Sequence, residues 1–164
     1  MEQQTTRAIE REVSIPAGKA RLAGNLAIPE GATGIVLFAH GSGSSRHSSR
    51  NVFVARALQS AGLGTLLFDL LTRAEEEVDV YTREHRFDIG LLAERLEHAT
   101  HWIIVGGSDD VVIGLNERAY ARLTCEKEMS IVPGASHLFE EPGTLEAVAE
   151  LAMDWFGRRL GAPR

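Results

Sequence analysis

The run Gly34-Ile35-Val36-Leu37-Phe38-Ala39 constrains this chain more than any other feature. It is apolar throughout and of strand length, with no alternation of polar residues. Such a run suits a strand buried on both faces of a sheet. A Gly/Ser loop follows, from His40 to Ser49, and then Val52, Val54, Ala55, Leu58 and Ala61 recur at helical spacing. Gly62 stops that helix, and Leu63–Phe68 reads as a second buried strand.

The alternation continues. Residues 69–81 are acidic and read as a loop. Helical spacing returns from about Glu84 to Trp102, with Leu92, Leu96, Ala99 and Ile103 on one face. Ile103–Val105 is an apolar, β-branched strand, and a helix is expected over Ile113–Leu123. Met129–Val132 is the next strand, and a last helix spans about Thr144–Arg159. Two alternating segments near the start, Arg11–Ile15 and Arg21–Ile28, flank Pro16-Ala17-Gly18 and read as a hairpin. Strands alternating with helices imply an α/β fold, a mainly parallel sheet flanked by helices on both faces, with an N-terminal antiparallel hairpin. At 164 residues the chain is expected to form a single domain, 1–164.

Charge and composition narrow the function. Seventeen Lys and Arg against 23 Asp and Glu give a net charge of −6, which disfavours nucleic acid and anionic membrane as partners. No apolar run reaches the roughly 20 residues of a membrane helix, and residues 1–12 are polar and unlike a signal peptide. The single cysteine, Cys125, excludes an internal disulfide. A cytoplasmic location is the expectation.

Three loops carry the chemistry. In Phe38-Ala39-His40-Gly41-Ser42-Gly43-Ser44-Ser45, glycines let backbone N–H groups converge, as a developing oxyanion requires. A plain Gly/Ser connection is an equal reading on spacing alone. In Gly106-Gly107-Ser108-Asp109-Asp110, a carboxylate follows a buried strand and is placed to orient a histidine. Taken alone, the cap of the next helix is the favoured reading of this carboxylate. In Pro133-Gly134-Ala135-Ser136-His137, a histidine follows the next strand. Two such neighbouring loops can lie side by side at one end of a parallel sheet. The other histidines show no metal-ligand spacing; His98 and His101 are three apart on the expected helix and read as a solvated face. No metal or cofactor is expected.

Together AHGSGSS, GGSDDVV and PGASHLFEEPG resemble the oxyanion, acid and histidine segments of the α/β-hydrolase superfamily, nearest its dienelactone-hydrolase-like branch. LLFDLLTRAEEE and the C-terminal helix through Asp154-Trp155-Phe156 are similar to that branch too. The likeness spans about 10–102 and 103–160. It implies Asp109 as the triad acid, His137 as the general base and the turn Gly41, Ser42, Gly43 as the oxyanion site. The implied activity is hydrolysis of small esters or lactones.

One part of that pattern is absent. Such hydrolases carry the nucleophile on a G-x-S-x-G elbow, and no such elbow occurs in this sequence. Nor is there a turn signal where the helix through Trp102 meets the strand at Ile103. Two missing strand–helix units would amount to roughly 60 residues. An internal deletion near 101–103, removing the central nucleophile strands, is therefore expected. Ser44 is the replacement nucleophile considered. The alternative is a catalytically inactive relative acting as a binding or assembly module; a flavodoxin-like binding domain lacks any phosphate or flavin signature. Loss of central strands leaves two half-sheets with apolar edges. These either pair directly or pair between chains, so a homodimer, with domain swapping as one route, is expected.

Overall fold

The computed structural model describes residues 9–39, 45–85, 101–122, 124 and 126–160. The chain divides into two compact units: residues 1–86 with 149–164, and residues 87–148.

The first unit is built on a four-stranded sheet. Strands β1 (Ile9–Ala17) and β2 (Ala20–Ile28) form the expected hairpin. Its two-residue turn is Gly18-Lys19, one step later than the sequence suggests, with Gly18 at φ 59°. Strand β3 (Ile35–Ala39) pairs in parallel with β4 (Gly64–Phe68), and β4 pairs antiparallel with β2. The order is β1-β2-β4-β3, so β3 ends its ladder.

Helix α1 (Ser49–Ser60) packs against β4 and buries Val54, Ala55 and Leu58. Leu63 and Thr65 are fully buried. Thr65 would be costly there without a partner; its hydroxyl accepts a 2.7 Å hydrogen bond from the Gln59 side chain. The C-terminal helix contributes Ala149, Ala152 and Trp155 to this core. Trp155 meets Phe156 edge-on at 4.7 Å, and the Arg159 guanidinium lies 3.8 Å from its ring centre.

Residues 69–81 are not a loop throughout. Helix α2 (Arg73–Thr82) opens with a reciprocal capping box: the Thr72 hydroxyl accepts the Glu75 N–H, and the Glu75 carboxylate accepts the Thr72 N–H. Two otherwise unpaired donors are satisfied at once. The run Glu75-Glu76-Glu77 obscures the helical period, while Thr72-x-x-Glu75 is the signal that announces the helix.

The second unit holds β5 (His101–Gly106), α3 (Asp110–Arg122), β6 (Lys127–Val132) and the start of α4 (Thr144–Leu160). Strands β5 and β6 are parallel, with His101 opposite Lys127 and Gly106 opposite Val132. Strand β5 starts at His101, so His101 and Trp102 are strand residues rather than the end of a helix. The expected helix from Glu84 lies mostly outside the described residues, as does Cys125.

Strand β3 takes β4 as its partner and β5 takes β6, in separate ladders. The chain is an α/β protein with the N-terminal antiparallel hairpin anticipated from sequence. Among the described residues, no helix is long and apolar enough to cross a membrane.

Candidate functional site

The second unit brings Asp109 and His137 together. Each stands in the loop that follows a strand of the parallel pair: Asp109 after β5, His137 after β6. Parallel strands end on the same side, so their following loops become neighbours.

The loops touch through their backbones. The Gly107 N–H donates to the Val132 carbonyl at 2.8 Å, and the Ser108 N–H donates to the Ala135 carbonyl at 2.9 Å. Only glycine permits this approach at position 106. A methyl group there would stand 2.6 Å from the Ala135 carbonyl oxygen and closer still to that of Ser136.

Asp109 divides its work between two oxygens. Its Oδ1 accepts the Val112 N–H at 3.1 Å and caps α3. Its Oδ2 stands 3.1 Å from His137 Nδ1. Asp109 therefore both caps the helix and pairs with the imidazole. The cap fixes the carboxylate on the helix, and the carboxylate fixes the imidazole.

With Nδ1 directed at Asp109, Nε2 becomes the basic nitrogen. The Asp109 side chain is 20% exposed and that of His137 52%. The carboxylate is thus sheltered, while the imidazole is open to solvent.

The histidine loop has its own supports. The Ser136 N–H donates to Glu141 Oε2 at 3.0 Å. The Phe139 N–H donates to the Ser136 carbonyl at 3.2 Å, and Phe139 adopts φ 52°. A non-glycine residue in that region costs on the order of 1–3 kcal/mol and needs the surrounding structure to hold it.

Glu141 is held below its ordinary carboxylate value of 4.5, first by the Ser136 N–H and then by its own N–H, against an opposing effect of burial. The Ser136 hydroxyl is buried and makes no hydrogen bond of ordinary geometry among the described residues. It lies near enough to the Glu141 carboxylate to favour its charged form, but His137 does not engage it.

In the first unit, Arg46, which follows the Gly/Ser segment in sequence, is clasped to the end of β4. The Arg46 N–H donates to Asp69 Oδ1 at 2.8 Å, its guanidinium pairs with the same carboxylate, and Arg46 Nε donates to Asn25 Oδ1 at 3.3 Å. Gly41, Ser42, Gly43 and Ser44 themselves lie outside the described residues. Among the described residues, no cluster of three or more His, Cys, Asp or Glu could hold a metal ion. Sequence reasoning missed Glu141 and Arg46. Arg46 directly follows AHGSGSS and Glu141 lies within PGASHLFEEPG; a side chain reaching back onto the loop is the signal that would have found them.

Comparison with known proteins agrees with this architecture. No model of a known protein family matches the chain. The crystal structure of a dienelactone hydrolase from Anabaena variabilis is 44% identical, covers 92% of this chain and 98% of its own, and superimposes with a TM-score of 0.76. The esterase domain of a Rhodothermus marinus protein shares the fold at 13% identity and a TM-score of 0.59, over 92% of this chain and 99% of that one.

Two Mycobacterium tuberculosis proteins, named provisionally as phosphoribosyl transferases, are each 40% identical over 214 residues, spanning 94% of this chain and 47% of the relative. The chain thus spans about half the length of the curated relatives it matches. It belongs to the α/β-hydrolase superfamily, in the dienelactone-hydrolase-like branch.

Proposed function

We propose that this chain is a hydrolase of small esters or lactones in which His137 is the general base and Asp109 its orienting carboxylate. The 3.1 Å contact between Asp109 Oδ2 and His137 Nδ1 carries the reading. It fixes the tautomer and orientation of the ring and offsets the charge of the imidazolium that forms during reaction. The Gly41-Ser42-Gly43 turn is assigned to the oxyanion through its backbone N–H groups. Ser44 is the candidate nucleophile that the sequence offers. In the acylation step His137 takes the proton of the attacking hydroxyl, that oxygen bonds to the carbonyl carbon, and the alcohol leaves with the proton. Water then repeats the sequence and frees the acid.

A second reading is favoured by one observation: no G-x-S-x-G occurs in the sequence. An inactive relative serving as a binding or assembly module would account for that. Treatment with a serine-directed fluorophosphonate, followed by intact-mass measurement and peptide mapping, separates the two. The hydrolase reading expects one adduct, at Ser44 and dependent on His137; the inactive reading expects none.

We also propose that the chain lacks an internal segment that its relatives carry. An alignment of 214 positions against a chain of 164 residues leaves at least 50 positions without a counterpart. Strand β3 supports a further proposal, a homodimer. It ends its ladder, exposes Ile35 and Leu37, and has neither charge nor proline to discourage pairing. Light scattering after size exclusion should give twice the mass of one chain. The mass of a single chain would remove the proposal.

A further inference from the structure

We propose that Glu141 is a positioning residue for His137: by accepting the Ser136 N–H, its carboxylate sets the peptide that carries the histidine and so keeps the imidazole on Asp109. The role in turnover rests on the hydrolase reading above; the effect on the imidazole does not.

Three observations lead here. The peptide N–H immediately before His137 donates to Glu141 Oε2 at 3.0 Å. Glu141 is in turn tied to the first residue of α4, because its carbonyl accepts the Thr144 N–H at 3.2 Å and the Thr144 hydroxyl at 2.7 Å, and Thr144 is buried. Between these anchors Phe139 holds a left-handed backbone, a conformation that persists only where its surroundings impose it.

A chain of bonds therefore runs from α4 through Glu141 to the Ser136 amide and on to His137. On its other flank the loop is fixed by the Ser108 N–H to the Ala135 carbonyl. His137, at 52% exposure, has little packing of its own. Its orientation depends on the backbone beneath it. The bond to Ser136 is charge-assisted, stronger than one between neutral groups. Consistently, Glu141 sits below its ordinary value with the Ser136 N–H as the leading cause.

The test compares Glu141→Ala with Glu141→Gln, which keeps an oxygen that can accept the Ser136 N–H. The first readout is the low-field NMR signal of the His137 Nδ1 proton, which reports the bond to Asp109 without any turnover. We expect Glu141→Ala to lose that signal and Glu141→Gln to keep it.

The second readout is ester hydrolysis. Glu141→Ala should lower kcat ten- to a hundredfold with KM little changed, in line with misplacement of a catalytic group by about 1 Å. Glu141→Gln should recover most of that loss. A role confined to loop stability would lower the melting temperature and leave signal and kcat in place. Retention of the signal in Glu141→Ala, or its absence from the unaltered protein, overturns the proposal. A signal that responds as expected in a protein that hydrolyses nothing would sustain it and remove the hydrolase reading alone.

Discussion

Because one oxygen of Asp109 caps α3 and the other holds His137, substitution can separate the two roles. Asparagine caps helices about as well as aspartate but does not hold the imidazole in the productive tautomer. Asp109→Asn is therefore expected to keep the unfolding free energy within a few tenths of a kcal/mol and to lower turnover by about 10⁴-fold. Asp109→Ala should lose the cap as well, at about 1 kcal/mol. Urea unfolding alongside ester kinetics measures both, and equal stability loss in the two variants would contradict the divided role.

Glu141 makes a pH prediction at the same scale. Its carboxyl is held below 4.5 in the folded protein. The stability it contributes is thus fully present above the unfolded value and is lost as pH falls through the folded one. The Ser136 amide shift should titrate with a midpoint below 4.5; a midpoint at or above it contradicts the bond. Asp109 and His137 were legible as a pair because each follows a strand in a recognisable loop. Glu141 was not, since Glu140 and Glu141 are adjacent and only the loop's geometry selects which one turns back.

Elements were legible in proportion to how one-sided their burial is. The run forming β3 is apolar along its length and that forming β4 is so but for Thr65, and both read directly as strands; β6 reads as a strand only from Met129, because Lys127 and Glu128 open it. Helix α2 did not read directly, because its three consecutive glutamates mask the period, while its cap at Thr72 is a local signal independent of burial. Thr72→Ala should destabilise the first unit by about 1 kcal/mol, read as a lower urea midpoint; an unchanged midpoint would mean the box is dispensable. The start of β5 at His101 was misread because no Gly, Pro or Asn stands between Gly90 and Gly106, so periodicity alone had nothing to mark the end of the expected helical spacing. Between β5 and α3, Gly106 sets the approach of the two loops. Gly106→Ala should cost about 1–3 kcal/mol through overpacking and move Asp109 away from His137.

At the scale of the whole molecule, the helix-terminal core and the acid–base pair answer to different tests. Trp155 is 2% exposed, and Trp155→Ala should remove about 3–5 kcal/mol while leaving the Asp109–His137 contact in any folded fraction. The missing elbow was legible as an absent motif, and the family's fold was legible from three loops in order. What the chain does with a paired carboxylate and imidazole but no elbow was not, because a nucleophile is defined by reach, and sequence records only order. The most direct measurement is the rate of hydrolysis of an activated ester by the unaltered protein and by His137→Ala. Turnover that falls by at least about 10³-fold in the variant is the expected result, in keeping with loss of a general base. Equal rates in the two proteins, or no turnover in either, would contradict the assignment of His137 as the base of a working hydrolase.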